Sequence, residues 1–211
     1  MAIKPHLFLV FWVLLAIDCA YRRRFLTLVG GTCALAAATA FAMYLDPHVW
    51  QHYFAMLRAS ALDNEFFPTI SMLFRLFVNA RVGWLLFVPS ALAIVWGCVY
   101  YMRNRLIWDW RVHGMLLMLV TVLVSPYGWF SDEIVLLPSL AFAFTFPRRR
   151  KYSTATLIAI NGVAVLVLLI AHPSLSSGAF IWTPLAWLAW FLYSTEGIVK
   201  TAPIINGRLV Q

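Results

Sequence analysis

Residues 25–45 read FLTLVGGTCALAAATAFAMYL, a run of 21 residues without a charge, entered directly from Arg22, Arg23 and Arg24. At a rise of about 1.5 Å per residue a helix of this length is about 31 Å long, which matches the hydrocarbon core of a bilayer. The stretch therefore reads as a membrane span with a basic turn at its start. The whole chain agrees with that reading. Its 211 residues are 63% hydrophobic and 11% charged, with a mean hydropathy of +0.83. A soluble domain carries about 25% charged residues to cover its surface. A soluble globule, a disordered tail and a disulfide-rich secreted module are all excluded, leaving an integral membrane protein.

Six further apolar stretches flank this one: 5–21, 82–102, 108–126, 130–147, 155–172 and 179–195. Those at 25–45, 82–102 and 155–172 are uninterrupted, whereas 108–126 and 130–147 reach full length only by including Trp108–Arg111 and Trp129–Glu133. The expected fold is all-α, a single polytopic transmembrane helix bundle of about seven spans over residues 1–211.

The net charge of +8 is distributed as a topology signal, in short clusters between spans. With Arg22–Arg24 on the cytoplasmic side and the spans alternating, 12 of the 16 Lys and Arg residues fall on that side. Lys4, Arg58, Arg75 and Arg81 fall outside. Cytoplasmic loops are enriched in this way, so the N-terminus is expected outside and the C-terminus in the cytoplasm. Nothing in the charge pattern forms a nucleic-acid face. Residues 1–20 also carry features of a signal peptide, but cleavage there would leave Arg22–Arg24 outside, and Asp18 fits a cleavage region poorly. Cys19, Cys33 and Cys98 have neither disulfide-framework nor zinc spacing.

Two outer segments carry the polar residues. In the 46–81 loop, Trp50, Tyr53, Phe54, Leu57 and Ala61 recur at helical spacing, while Gln51, His52 and Arg58 fall elsewhere on the wheel. This predicts a short amphipathic helix at the membrane interface. A second short helix is expected after Pro68, with Ser71 near its start and Arg75 one turn later. His48 and His52 are four apart, but no third metal ligand adjoins them, so solvated interfacial histidines are the simpler reading. The other segment runs Ser125-Pro126-Tyr127-Gly128-Trp129-Phe130-Ser131-Asp132-Glu133. Its Pro and Gly make a tight connection, and it sets Asp132 and Glu133 at the mouth of the fifth span, where acids need water or a partner. A hydrated acidic cap is the plain alternative for Glu133. No Asp, Glu, Lys, Arg or His sits near the centre of a span, which counts against an ion-coupled transporter or flippase.

Taken in order, these pieces resemble the C-terminal portion of a C-type-fold integral membrane glycosyltransferase of glycosyltransferase family 87, the polyprenyl-phosphate-mannose-type mannosyltransferase-like proteins. Lys4-Pro5-His6 looks like the family's Lys-Pro-polar opening of a span, and Arg22–Arg24 like its basic turn. Asn64 with Ser71 and Arg75 looks like the outer Asn-x-Ser region before a Leu/Arg helix. Ser125-Pro126-Tyr127 followed by Asp132 looks like the Ser-Pro-aromatic…Asp segment. The resemblance covers about residues 3–147; the last two spans match only in being apolar.

The resemblance implies transfer of a sugar from a polyprenyl-phosphate donor to an acceptor hydroxyl, on a glycan or glycolipid, at the outer face of a bacterial plasma membrane. Asp132 is then the candidate catalytic carboxylate, orienting the sugar or acceptor or standing in as base. Lys4, His6 and Arg75 would bind the donor phosphate, and Tyr127, Asn64 and Ser71 the substrate. No cofactor and no metal ligand set is implied, the lipid-linked sugar being a substrate. Family members carry further spans upstream, with the catalytic Asp in their first outer loop. Nothing precedes Met1 here, so the resemblance implies a truncated product, a chain completed by an N-terminal half or partner subunit, or an inactive one. The competing expectation is a non-catalytic polytopic subunit that binds lipid or a partner.

Overall fold

The computed structural model describes residues 5–59, 68–128, 130–145, 150–170 and 177–195. Among these the fold is all-α: α1 (Leu9–Tyr21), α2 (Phe25–Leu45), α3 (Val49–Ala59), α4 (Ile70–Asn79), α5 (Val88–Asn104), α6 (His113–Leu123), α7 (Leu137–Phe144), α8 (Arg150–Ile170) and α9 (Thr183–Ser194). Three segments are long and apolar enough to cross a membrane, at Phe25–Leu45, Gly83–Asn104 and Tyr152–Ile170. They coincide with the three stretches that read as uninterrupted in the sequence.

The other expected spans are present as shorter α-helices, several of them entered through 3-10 turns. The turns Gly83–Phe87, Phe130–Leu136 and Ser177–Phe180 precede α5, α7 and α9, and each of these helices has Pro in its first turn. Proline lacks the N–H that would extend an α-helix backwards but fits its first turn. Pro89, Pro138 and Pro184 thus set where α-geometry begins. For the 130–147 and 179–195 stretches this leaves α-helices of 8 and 12 residues.

The chain divides into two compact units, residues 1–12 with 66–211, and residues 13–65. In the first unit the core is built from Leu116, Leu119 and Val122 of α6, Trp187, Trp190 and Phe191 of α9, with Ala143 of α7 and Ile160 of α8. Polar bonds tie α8 to α9 inside it. Trp190 Nε1 donates to the Ser153 carbonyl at 2.8 Å, and the Ser153 and Ser194 hydroxyls meet at 2.8 Å. Away from water such interhelical bonds add register more than energy, about 0.6 kcal/mol each. A second layer packs His113 at the start of α6 flat against Trp108, with ring centroids 4.6 Å apart, and Trp110 edge-on to Phe11.

The second unit shows its solvent plainly. No residue of α2 is buried, and Phe25, Leu26, Phe41, Tyr44 and Leu45 are all exposed. A 21-residue apolar helix with no protein cover is stable only where lipid supplies the apolar surroundings. The turn into α2 ends α1 with a Schellman motif. Arg24 N–H donates to the Cys19 carbonyl at 2.8 Å, and Arg23 N–H to Ala20 at 3.3 Å. Arg23 has φ of +55°, a left-handed conformation that glycine normally supplies. Arginine there costs about 1 kcal/mol. Arg22 Nε adds an ion pair to Asp18 at 2.7 Å.

At the far end of α2, Asp46 Oδ1 accepts the His48 N–H at 2.9 Å, and Oδ2 meets His52 Nδ1 at 2.9 Å. The His48 N–H bond, helped by His52, holds the Asp46 carboxyl below its ordinary pKa. A lowered carboxyl pKa means the turn is intact at and above the usual carboxylate range and loosens as pH falls through it. Acid titration followed by NMR is expected to shift the His48 amide resonance with that transition, and Asp46→Asn to abolish it. α3 follows as the sequence predicts, with Trp50, Tyr53 and Phe54 forming one aromatic cluster of centroid distances 5.8–6.2 Å.

Candidate functional site

The site is built on the end of α6. A helix leaves its last carbonyls without intrahelical partners. Here the carbonyl of Val124, at the C-cap, accepts the hydroxyls of Ser71 from α4 at 2.7 Å and Ser90 from α5 at 2.6 Å. Three helices are thus pinned at one atom. The chain then turns: Ser125 Oγ donates to the Tyr127 carbonyl at 2.8 Å, and Pro126 and Gly128 are buried. Thr69 caps α4, its side chain accepting the Met72 N–H at 3.3 Å.

Gly128 is where the segments meet. A Cβ there would stand 3.4 Å from Leu7 Cδ2, 3.8 Å from Thr69 Cγ2 and 3.9 Å from Asp132 Oδ2. Between them lies a small, partly open cleft with a cavity volume of about 10 Å³, room for about one water molecule. Leu7, Pro68, Val122 and Pro184 form its apolar walls, and Thr69, Asp132 and Glu133 supply the polar groups. Glu133 is tied to α9: Oε2 accepts the Trp187 Nε1–H at 3.0 Å, and Oε1 bonds the Thr183 hydroxyl. Asp132 is half-buried at the cleft, one residue earlier.

No family model, curated protein or solved structure matches this chain.

The sequence-predicted residues fall into three groups. Asp132 lines the cleft, while Ser71 and Tyr127 lie in the scaffold around it: Ser71 is buried against Val124, and Tyr127 is half-buried in the turn. Arg75 is buried in α4 and does not line the cleft. Its Nε donates to the Ala80 carbonyl at 2.8 Å, where a cation suits the end of its own helix. Lys4 and Asn64 lie outside the described residues. His6 belongs to the 3-10 turn Pro5–Phe8 by its backbone, and its side chain is likewise outside them. The neighbour Leu7, however, is on the cleft wall. Among the described residues no group of three or more His, Cys, Asp or Glu side chains assembles for a metal.

Thr69, Ser90, Thr183 and Trp187 are not singled out by the sequence, and Gly128 is read there only as part of a tight connection. For Thr69 a signal exists, since Pro-Thr before an apolar helical run is an N-cap pattern. Thr183 and Trp187 have none, because an apolar span does not announce which of its residues meets an acid from another segment.

Proposed function

We propose that this protein is a membrane glycosyltransferase, or the C-terminal portion of one, that moves a sugar from a polyprenyl-phosphate donor to an acceptor hydroxyl at the outer membrane face. One observation carries the reading. Three of the four segments that resemble the family, around Lys4-Pro5-His6, Ser71 and Ser125–Asp132, lie far apart in sequence, yet Leu7, Thr69, Gly128 and Asp132 meet around one cleft. Their convergence supports a shared role.

The chemistry asks for two things. As the acceptor oxygen bonds to the anomeric carbon, a carboxylate takes its proton. The bond from that carbon to the phosphate oxygen breaks, the electron pair leaves with the phosphate, and donors must meet the growing charge. Asp132 is the carboxylate proposed to orient the sugar or acceptor or to take the proton. Lys4 and His6 stand at the opening of the 5–21 stretch, just before Leu7 in the chain, and are the proposed phosphate contacts together with Arg75, which is buried in α4. Tyr127 and Asn64 are proposed at the sugar, while Ser71 serves by holding Val124.

A photoreactive polyprenyl-phosphate-mannose probe, with the protein in lipid vesicles, tests this. The expected result is crosslinking to peptides containing Thr69 or Asp132, competed by unlabelled donor. Labelling that is scattered, or indifferent to competitor, would instead favour the non-catalytic subunit.

The proposed topology has seven spans, the N-terminus outside, the C-terminus cytoplasmic and α3 in the interface, in a bacterial plasma membrane. Single cysteines in a background lacking Cys19, Cys33 and Cys98 test it. A cysteine at Tyr127 is expected to react with an impermeant maleimide in intact cells, and one at Arg23 only after permeabilisation. The opposite pattern would invert the orientation.

A further inference from the structure

We propose that Glu133 holds a proton at neutral pH and through it fastens the Phe130–Leu136 turn to the start of α9. Counting protons carries this. Thr183 Oγ1 is within hydrogen-bond distance of two oxygens, Glu133 Oε1 and the Phe180 carbonyl, the latter at 2.6 Å. Oxygens so close need a proton between them, and a threonine hydroxyl has one to donate. With Glu133 as an anion, one of the two contacts would be a bare oxygen–oxygen pair. With a proton on Oε1, Glu133 donates to Thr183, Thr183 donates to Phe180, and Oε2 accepts the Trp187 Nε1–H. Every group in the chain is then satisfied, which is the criterion by which unseen hydrogens are assigned.

The surroundings point the same way. From α9 the groups facing Glu133 are Thr183 and Trp187, both uncharged. The cleft presents Leu7, Val122 and Pro184 as apolar walls, with Thr69 beside them. Among the described side chains lining the cleft, Asp132 is the other titratable group. An ionised carboxylate with no cation among the described side chains that line the cleft is costly. The two adjacent acids then have separate jobs. Glu133 is a positioning residue that holds the turn, and Asp132 is the carboxyl beside Gly128 and Thr69.

This inference does not rest on sugar transfer, because the proton can be read directly by infrared difference spectroscopy of the full chain in lipid at neutral pH. Subtracting Glu133→Gln from wild type is expected to reveal one protonated-carboxyl C=O band, lost in the variant. Glutamine can donate to Thr183 and accept from Trp187, so the variant is expected to melt with wild type. In Thr183→Val the band is expected to persist at higher frequency, its acceptor gone. Loss of a carboxylate stretch in Glu133→Gln, with no protonated-carboxyl band, would overturn the proposal. So would a band indifferent to Thr183→Val. Should Glu133→Gln fail to fold, an amide would not replace the acid, and the proposal would fall on that ground too.

Discussion

Asp132→Asn is expected to slow sugar transfer by about 10²–10⁴-fold, the contribution of a positioned proton acceptor, with the loss falling on kcat rather than KM. The amide keeps the shape of the carboxyl but not its ability to take a proton. The contact at Gly128 and the packing of the cleft stay as they are, so donor binding should survive. Transfer in vesicles, alongside probe crosslinking of the same variant, separates the two effects. A variant that binds the probe and no longer transfers would place Asp132 in the chemistry. Loss of both would make it a binding residue, and unchanged transfer would remove it from the reaction. Glu133→Gln is the matched control: it changes the neighbouring acid in the same way, and the hydrogen-bond chain to Thr183 predicts little loss of rate.

The largest expected effect on stability belongs to Trp190→Ala, about 3 kcal/mol. Trp190 is 2% exposed at the centre of the α6–α9 core, and its indole N–H is committed to the Ser153 carbonyl. The value sits at the low end of aromatic truncations in soluble cores for a physical reason. Lipid tails are as apolar as leucine, so what the truncation loses between membrane helices is packing and the bond rather than removal from water. Trp190→Phe keeps most of the volume and drops the bond, at about 1 kcal/mol. Equilibrium unfolding in mixed micelles measures both. Trp84, 67% exposed, provides the reference, and Trp84→Ala is expected to stay within about 0.5 kcal/mol of wild type. Equal costs at Trp84 and Trp190 would mean that this core does not stabilise the fold.

How much of the fold and of the cleft is legible in the sequence depends on whether the signal is local. The α2 segment is readable end to end and the α5 and α8 segments in their apolar middles, because 20 or so apolar residues commit a helix to a membrane unaided. α3 and α4 are readable from helical spacing and from Pro68-Thr69. The first-turn prolines are visible too, but their consequence is not. Pro89, Pro138 and Pro184 lie inside apolar stretches, and each sits in the first turn of an α-helix that follows a 3-10 or turn segment. Arg23 in a left-handed turn is equally unreadable, since three arginines signal topology and not a backbone angle.

Composition and local pattern suffice to establish a helical, apolar chain built for a bilayer, and the family resemblance adds Lys4, His6, Asn64, Ser71, Arg75, Tyr127 and Asp132 as the polar residues worth following. Which of these residues meet is decided by packing alone. Leu7, Thr69, Gly128 and Asp132 come from three distant segments around one cleft, Ser71 and Ser90 share one carbonyl, and Glu133 reaches across to α9. In a soluble protein the polar face of each helix would have narrowed that choice. Here lipid-facing and partner-facing residues are equally apolar, so no periodicity in the chain records which helix lies against which.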